Sequence, residues 1–326
     1  MSSGRSSSTA EAPAGPPRSG YVGRFAPSPT GPLHAGSLLA ALGSWLDARH
    51  HHGRWLLRIE DLDAPRTVPG ARDAIFRELE RHGLHWDGPV VHQSQRSAAY
   101  GAAIDVLHDN AATFYCTCTR QDLAPHPARY PGTCRDRSRP PAHQPAALRL
   151  RVTDAPILVT DLLHGASQWN LADAPGDFVV RRKEGIHAYQ LAVVVDDAAA
   201  GVTHVVRGAD LLDNTARQQY LQQLLRLPTP AYLHLPLVLG ADGRKLSKQN
   251  HARPLSRDQP AENLGIALAA LGQPLPGALV GAPPQEILRW ATHAWQRATI
   301  QRMLAAANLQ RSADAAAADN PNDPKQ

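Results

Sequence analysis

The chain has 326 residues, 43% hydrophobic and 19% charged, enough to bury the core of one large or two modest domains. No apolar run approaches the roughly 18 residues of a membrane span, and the leading segment lacks the apolar stretch of a secretory signal, so the expectation is a cytoplasmic protein with no membrane partner. The net charge of +5 permits an anionic partner without requiring one.

Residues 1–20, rich in Ser, Gly, Pro and Ala, read as a disordered leader. A strand is predicted over 21–25, followed by the turn-rich Ala26-Pro-Ser-Pro-Thr-Gly-Pro32 and a helix over 33–50. Leu38, Leu42, Trp45 and Leu46 recur there at helical spacing and give it one apolar face. Gly53 ends that helix, and RWLLRIE over 54–60 reads as a buried strand. Strand, helix and strand in this order form a βαβ unit, whose crossover makes the sheet parallel. Ligands of such sheets bind outside the carboxyl ends of the strands. Helices are predicted over 72–82 and 97–109. Residues 113–185 change texture to Pro, Arg and Thr with short strand-like runs, and read as an insertion. Regular α/β pattern returns with a helix over 188–197, a strand over 203–208, a helix over 214–225 and a strand over 234–240. An Asp-Gly turn then leads into Lys245-Leu-Ser-Lys248-Gln249. Helices over 262–272 and 284–295 mark a C-terminal helical region, 253–311, and 312–326 reads as a disordered tail. The catalytic unit is expected to comprise 21–112 and 186–252.

Three constellations carry chemistry. In Pro27-Ser-Pro-Thr-Gly-Pro-Leu-His34-Ala-Gly36-Ser37, prolines stiffen a loop that opens a helix, where free N–H groups and the helix dipole favour phosphate. His34, placed in the first helical turn, could donate to a phosphate oxygen as charge develops. The second is Lys245 and Lys248, flanking a serine. The chain has four lysines against thirty arginines, so two within four residues point to a site wanting compact ammonium groups, as a leaving pyrophosphate does. Third, Cys116, Cys118 and Cys134 lie within about twenty residues of a loop-rich segment, a pattern favouring tetrahedral zinc over a disulfide. The spacing leaves the fourth ligand open among His126, His143 and Asp122. His50-His51-His52 reads as a solvated helix end.

Arg24-Phe-Ala-Pro-Ser-Pro-Thr-Gly31, His34-Ala-Gly36, Arg58-Ile-Glu-Asp-Leu-Asp63, Arg207-Gly-Ala-Asp-Leu-Leu-Asp-Asn-Thr215 and Lys245-Leu-Ser-Lys-Gln249 resemble the signatures of class I glutamyl-tRNA synthetases. The histidine-glycine element resembles the family's HIGH motif, with Ser37 in place of its last histidine, and KLSKQ resembles its KMSKS motif. Only about 75 residues follow Gln249, too few for the anticodon-binding portion of those enzymes. A short chain with this ending and a CxC insertion resembles the glutamyl-queuosine tRNA(Asp) synthetases.

The resemblance implies an α/β fold: the Rossmann-like parallel sheet of class I aminoacyl-tRNA synthetases, with a zinc-bearing insertion and a short C-terminal helical region. It implies a ligase that uses ATP and Mg²⁺ to activate L-glutamate and passes it to queuosine in the anticodon loop of tRNA(Asp). His34, Lys245 and Lys248 would be catalytic, with His34, Gly36 and Lys248 holding ATP. Arg24, Ala26, Ser28, Glu60, Tyr189 and Arg207 would hold glutamate. Charge agrees: two carboxylates call for the cationic forks of Arg24 and Arg207, and one ammonium for Glu60. By the same resemblance Zn²⁺ would be structural, on Cys116, Cys118, Cys134 and Tyr130, with His126 the alternative to Tyr130. A monomer is expected. Competing readings are a truncated synthetase that charges a tRNA 3′ end, a non-catalytic tRNA-binding paralogue and a small-molecule nucleotidyltransferase.

Overall fold

The computed structural model describes residues 20–237, 255–256 and 258–306. Its first half-sheet is β1 (Val22–Phe25), α1 (Ala35–His50), β2 (Arg54–Ile59), α2 (Ala71–Arg81) and β3 (Val91–His92), followed by α3 (Ser97–Asp109). The strands run parallel in the order β1-β2-β3, with Val22 opposite Arg54 and Phe25 opposite Leu57. Gly53 is required where α1 turns into β2, because a Cβ there would lie 2.5 Å from the Tyr21 carbonyl oxygen.

Residues 113–185 do not form one unit. β4 (Thr113–Cys116), the short α4 (Arg120–Leu123), β5 (Ala147–Leu150) and β8 (Phe178–Arg181) build a separate antiparallel sheet, β4-β5-β8. Between them, β6 (Ile157–Asp161) and β7 (Gly165–Trp169) leave that sheet and join the main one. After α5 (Tyr189–Ala199), β9 (His204–Gly208), α6 (Leu212–Leu225) and β10 (Ala231–Leu235) complete it in the order β7-β6-β10-β9, parallel except for the β6–β7 hairpin. Of the strand expected over 234–240, His234 and Leu235 end β10, which starts earlier, at Ala231, and 238–240 lie outside the described residues. Pro236, which has no N–H to donate, follows directly on the last residue of β10.

β1 joins the halves. The Thr203 N–H donates to the Val22 carbonyl at 2.9 Å, and the Val22 N–H donates to the Thr203 hydroxyl at 2.8 Å. β1 and β9 thus stand side by side where the strand order reverses, the place at which open parallel sheets bind ligands.

α1 is buried on more than the one face expected. Leu38, Leu42 and Leu46 are in the core, but so are Leu39, Ala41, Ser44, Asp47 and Ala48. The reason is a second covering layer: α7 (Pro260–Ala270) and α8 (Pro284–Ala294) contribute Leu264, Leu268, Ile287 and Leu288 to the same core. The charged anchor of this layer is Asp47, which accepts from Tyr21 Oη, Trp295 Nε1 at 2.9 Å, and Arg297 Nε and Nη2 at 2.7 and 2.8 Å. Burial alone would raise its pKa, but the Arg297 guanidinium and the other donors hold it below the usual range. Asp47→Ala should cost about 2–4 kcal/mol by leaving those donors unpaired. Since the folded pKa is depressed, this stabilisation exists above the unfolded value and is lost as pH falls through the folded one. Urea unfolding of both proteins should show the gap narrowing only below about pH 4, and a gap that stays constant into acid would refute the ionic anchor.

Candidate active site and metal centre

The carboxyl ends of β1, β2 and β9 open onto a cleft of about 570 Å³. Arg24, Ala26, Ser28, Glu60, Tyr189 and Arg207 line it together with His34 and Gly36. Eight positions spread over 184 residues of sequence thus converge on one cavity at the switch point. Lys245 and Lys248, with the rest of KLSKQ, lie outside the described residues.

The loop before α1 makes a sharp reversal at Gly31, whose φ of 137° is closed to most side chains. His34 is the N-cap of α1 rather than part of its first turn, and its Nδ1 accepts from the Ser37 N–H at 3.3 Å. That bond leaves the proton of a neutral ring on Nε2, the nitrogen that can then act as donor.

Behind the cleft lies a network that sequence reasoning missed. Arg24 is 4% exposed, and its Nε donates to both Asp197 carboxylate oxygens at 3.2 Å. Arg58, equally buried, donates to Asp197 at 2.6 Å through Nη1 and to Glu60 at 3.2 Å through Nη2. Asp196 completes it, accepting from Arg96, Gln93 and Tyr100. Burial would raise the Asp197 pKa, but the two guanidinium groups outweigh it and hold the carboxyl low. Glu60 is different: burial dominates over Arg58 and Arg24, and its pKa is raised. The available signal was a pair of adjacent aspartates, Asp196-Asp197, closing an apolar helical run.

Arg207 is also buried, at 5% exposure. Its Nε donates to His234 Nε2 at 3.0 Å; Nη1 donates to Gln218 at 2.8 Å and Tyr189 Oη at 3.4 Å; Nη2 donates to Thr215 at 2.9 Å and the Leu211 carbonyl at 3.3 Å. A guanidinium has five N–H donors, so all are engaged, and a two-point contact with a carboxylate requires exchanging the longest of these bonds. Behind Arg207, His234 Nδ1 meets Asp161 Oδ2 at 2.6 Å. Burial and then, less strongly, the Arg207 charge favour neutral His234, against the pull of Asp161.

In the smaller sheet, the sulfur atoms of Cys116, Cys118 and Cys134 lie within 4.8 Å of one another. The Cys118–Cys134 separation is 3.6 Å, close to the roughly 3.8 Å expected of two sulfurs on one tetrahedral zinc. Tyr130 Oη stands 4.0 Å from Cys118 Sγ and accepts the Cys134 N–H at 3.0 Å. His126, His143 and Asp122 are outside the group, and the Asp122 carboxylate is instead engaged in capping α4 through Thr119. Burial would raise the Cys134 thiol, but hydrogen bonds from Thr117, Cys118 and Tyr130 bring it down to about 7, whereas burial and the neighbouring thiols push Cys118 up to about 11. Three soft donors and a phenol hydroxyl at these spacings fit a zinc ion.

Residues 21–263 match the model of the tRNA synthetases class I (E and Q), catalytic domain. A Glutamyl-Q tRNA(Asp) synthetase of Pseudomonas entomophila is 53% identical over 284 residues, covering 87% of this chain and 96% of that relative. Another, of Thiobacillus denitrificans, is 55% identical over 280 residues, covering 84% and 93%. Among solved structures, the glutamate-tRNA synthetase of Elizabethkingia anophelis superposes with a TM-score of 0.72 at 26% identity, over 86% of this chain and 66% of that one. A glutamate tRNA ligase of Elizabethkingia meningosepticum, solved in complex with its amino acid, matches with the same values. The chain spans just under two thirds of those two proteins but almost the whole of the glutamyl-Q relatives. It belongs to the class I tRNA synthetases of the glutamate and glutamine type, and within them to the glutamyl-Q tRNA(Asp) synthetase family.

Proposed function

We propose that this protein activates L-glutamate with ATP as glutamyl-adenylate and transfers the glutamyl group to the queuosine base at the wobble position of tRNA(Asp). The observation that carries this reading is the convergence of Arg24, Arg207, Glu60 and Tyr189 with His34 in one cleft, in a chain more than half identical to glutamyl-Q tRNA(Asp) synthetases.

In this reading Arg24 and Arg207 face the glutamate carboxylates, Glu60 receives the ammonium, and Tyr189, Ser28 and the Ala26 backbone complete the pocket. The raised pKa of Glu60 supports that role, since a buried carboxylate gains most from an arriving ammonium. The α-carboxylate attacks the α-phosphate of ATP and pyrophosphate leaves. His34 at the N-terminus of α1, beside Gly36, and Lys245 and Lys248 stabilise the phosphate charge by position. Mg²⁺ accompanies ATP. A hydroxyl of the cyclopentene diol then attacks the activated carbonyl and AMP departs. That cis-diol imitates the ribose diol of a tRNA 3′ end, so the anticodon loop occupies the place of an acceptor stem.

Cys116, Cys118, Cys134 and Tyr130 would hold Zn²⁺, which would supply rigidity to a segment with a small core of its own. Residues 21–112 and 186–252 act as the catalytic unit, 113–185 chiefly as the metal-bearing insertion, and 253–311 as a helical support, in a monomer in the cytoplasm.

Transfer of labelled glutamate to tRNA(Asp), with and without queuosine, tests the proposal. Label confined to the queuosine-containing tRNA is expected. Periodate-sensitive label on tRNA lacking queuosine would favour 3′-end charging, and no label would leave a non-catalytic tRNA-binding protein.

A further inference from the structure

We infer that Asp161 and His234 form a buried relay that fixes Arg207 for glutamate recognition, from neighbouring strands and outside the lining of the cleft. The inference rests on the reading of Arg207 as a glutamate-binding residue. Both relay members are shielded from water: His234 is 0% and Asp161 3% exposed. They come from neighbouring parallel strands, β10 and β6, whose only register pair, Tyr232 with Asp161, sets the carboxylate beside the ring.

The proton positions follow from chemistry. Arg207 Nε can only donate, so His234 Nε2, 3.0 Å away, must accept. A neutral ring then carries its proton on Nδ1, and Asp161 Oδ2 at 2.6 Å receives it. The Thr215 hydroxyl, 3.3 Å from Nε2 and already accepting from Arg207, fits the same assignment. Two independent constraints therefore select one tautomer.

Asp161 is held just as strictly. Its Oδ1 accepts the N–H groups of Leu163 at 2.9 Å and His164 at 3.0 Å, and Oδ2 also accepts the His234 N–H at 3.1 Å. All its partners are donors, so an amide in its place would turn an NH₂ toward N–H groups in either orientation. With the amide oxygen kept on the two loop N–H groups, the NH₂ would face His234 Nδ1. The ring would then shift its proton to Nε2, against Arg207. Asp161→Asn changes one atom and thereby attacks the tautomer, leaving Arg207 itself in place. His234→Gln keeps a carbonyl acceptor for Arg207, whereas His234→Leu removes it.

Steady-state kinetics of glutamate transfer to queuosine-containing tRNA(Asp), with thermal melting of each variant, test the relay. Losing one charge-assisted hydrogen bond on a binding group should raise KM for glutamate on the order of tenfold to a hundredfold. This is expected in Asp161→Asn and His234→Leu, with KM for ATP unmoved and His234→Gln closer to the parent than His234→Leu. Folded Asp161→Asn protein with an unchanged KM for glutamate would overturn the relay, as would equal rises in both KM values. Arg207→Lys serves as the separate check: an unchanged KM for glutamate there would overturn the reading of the pocket. A raised value in Arg207→Lys beside unchanged relay variants would overturn the relay alone.

Discussion

Asp197→Ala is expected to lose about 3–5 kcal/mol of folding stability, because removing one partner of a buried ion pair leaves the other charged and unpaired. Here Arg24 would lose its carboxylate partner at 3.2 Å, and Arg58 the shortest of its three, at 2.6 Å, keeping Glu60 and Asp196. Activity should fall with stability. Arg58 orients Glu60 and Arg24 lines the cleft, so in the proposed reading the glutamate ammonium and one carboxylate would meet displaced partners. Asp197→Asn should be intermediate, keeping two acceptor contacts at most. The folded pKa of Asp197 lies below its ordinary value: burial opposes this, and Arg24 and Arg58 override it. The contribution is therefore complete above the unfolded pKa of about 3.9 and disappears as pH falls through the folded value. Denaturant unfolding at pH 7 and at pH 3, beside glutamate-dependent turnover, checks both statements. Parent-like stability and turnover in the alanine variant would show the network to be dispensable.

Removing the proposed zinc should act elsewhere. Structural zinc contributes on the order of 10 kcal/mol or more to the folding of small domains that depend on it. The segment carrying Cys116, Cys118 and Cys134 has only a small apolar cluster, Phe114 and Tyr130 with the cysteines themselves. Chelation, or Cys134→Ser, is expected to release zinc and to abolish hydrogen-exchange protection in β4 and α4, while β5, whose Leu148 and Leu150 belong to the larger core, keeps its own. The parallel sheet and adenylate formation should persist, because the cleft residues sit on β1, β2, β9 and the helices beside them. Metal analysis and exchange measurements on the intact chain decide this. A serine variant that keeps its metal and its protection would exclude Cys134 as a ligand.

The parts legible in the sequence were those with local causes. The βαβ unit of β1, α1 and β2 announced itself by a turn-rich loop, a helical period and Gly53, all within forty residues. The cysteines were legible because their spacing is short, and the structure gathers all three. The cleft residues were collected by resemblance rather than by pattern, and nothing in the spacing of Glu60 and Arg207 says that they meet. The placement of β6 was illegible for a physical reason: its parallel partner lies some seventy residues later, across the smaller sheet's last strand and two helices. Its burial alternates along the strand, but ILVTD does not show it, since Leu158 is exposed and Asp161 buried, and a period of two would in any case assign a face, not a neighbour. The same distance hid the relay, as Asp161 and His234 each read alone as an ordinary loop or strand residue. Asp196 and Asp197 close the helix predicted over 188–197, and nothing in the sequence says that both are buried there.

The junction between β1 and β9 also sets a timetable for biosynthesis. Val22 finds Thr203 only after 181 further positions have been added. At about 5–20 residues per second, the free edge of β1 waits on the order of 10–40 s on the ribosome before its neighbour exists. Through that interval an unpaired parallel edge and the apolar side of α1 stand open, and slow, non-local pairing of this kind exposes a nascent chain to aggregation. A chaperone that shields the first hundred residues has its window there, and shortening the intervening segment would close it sooner.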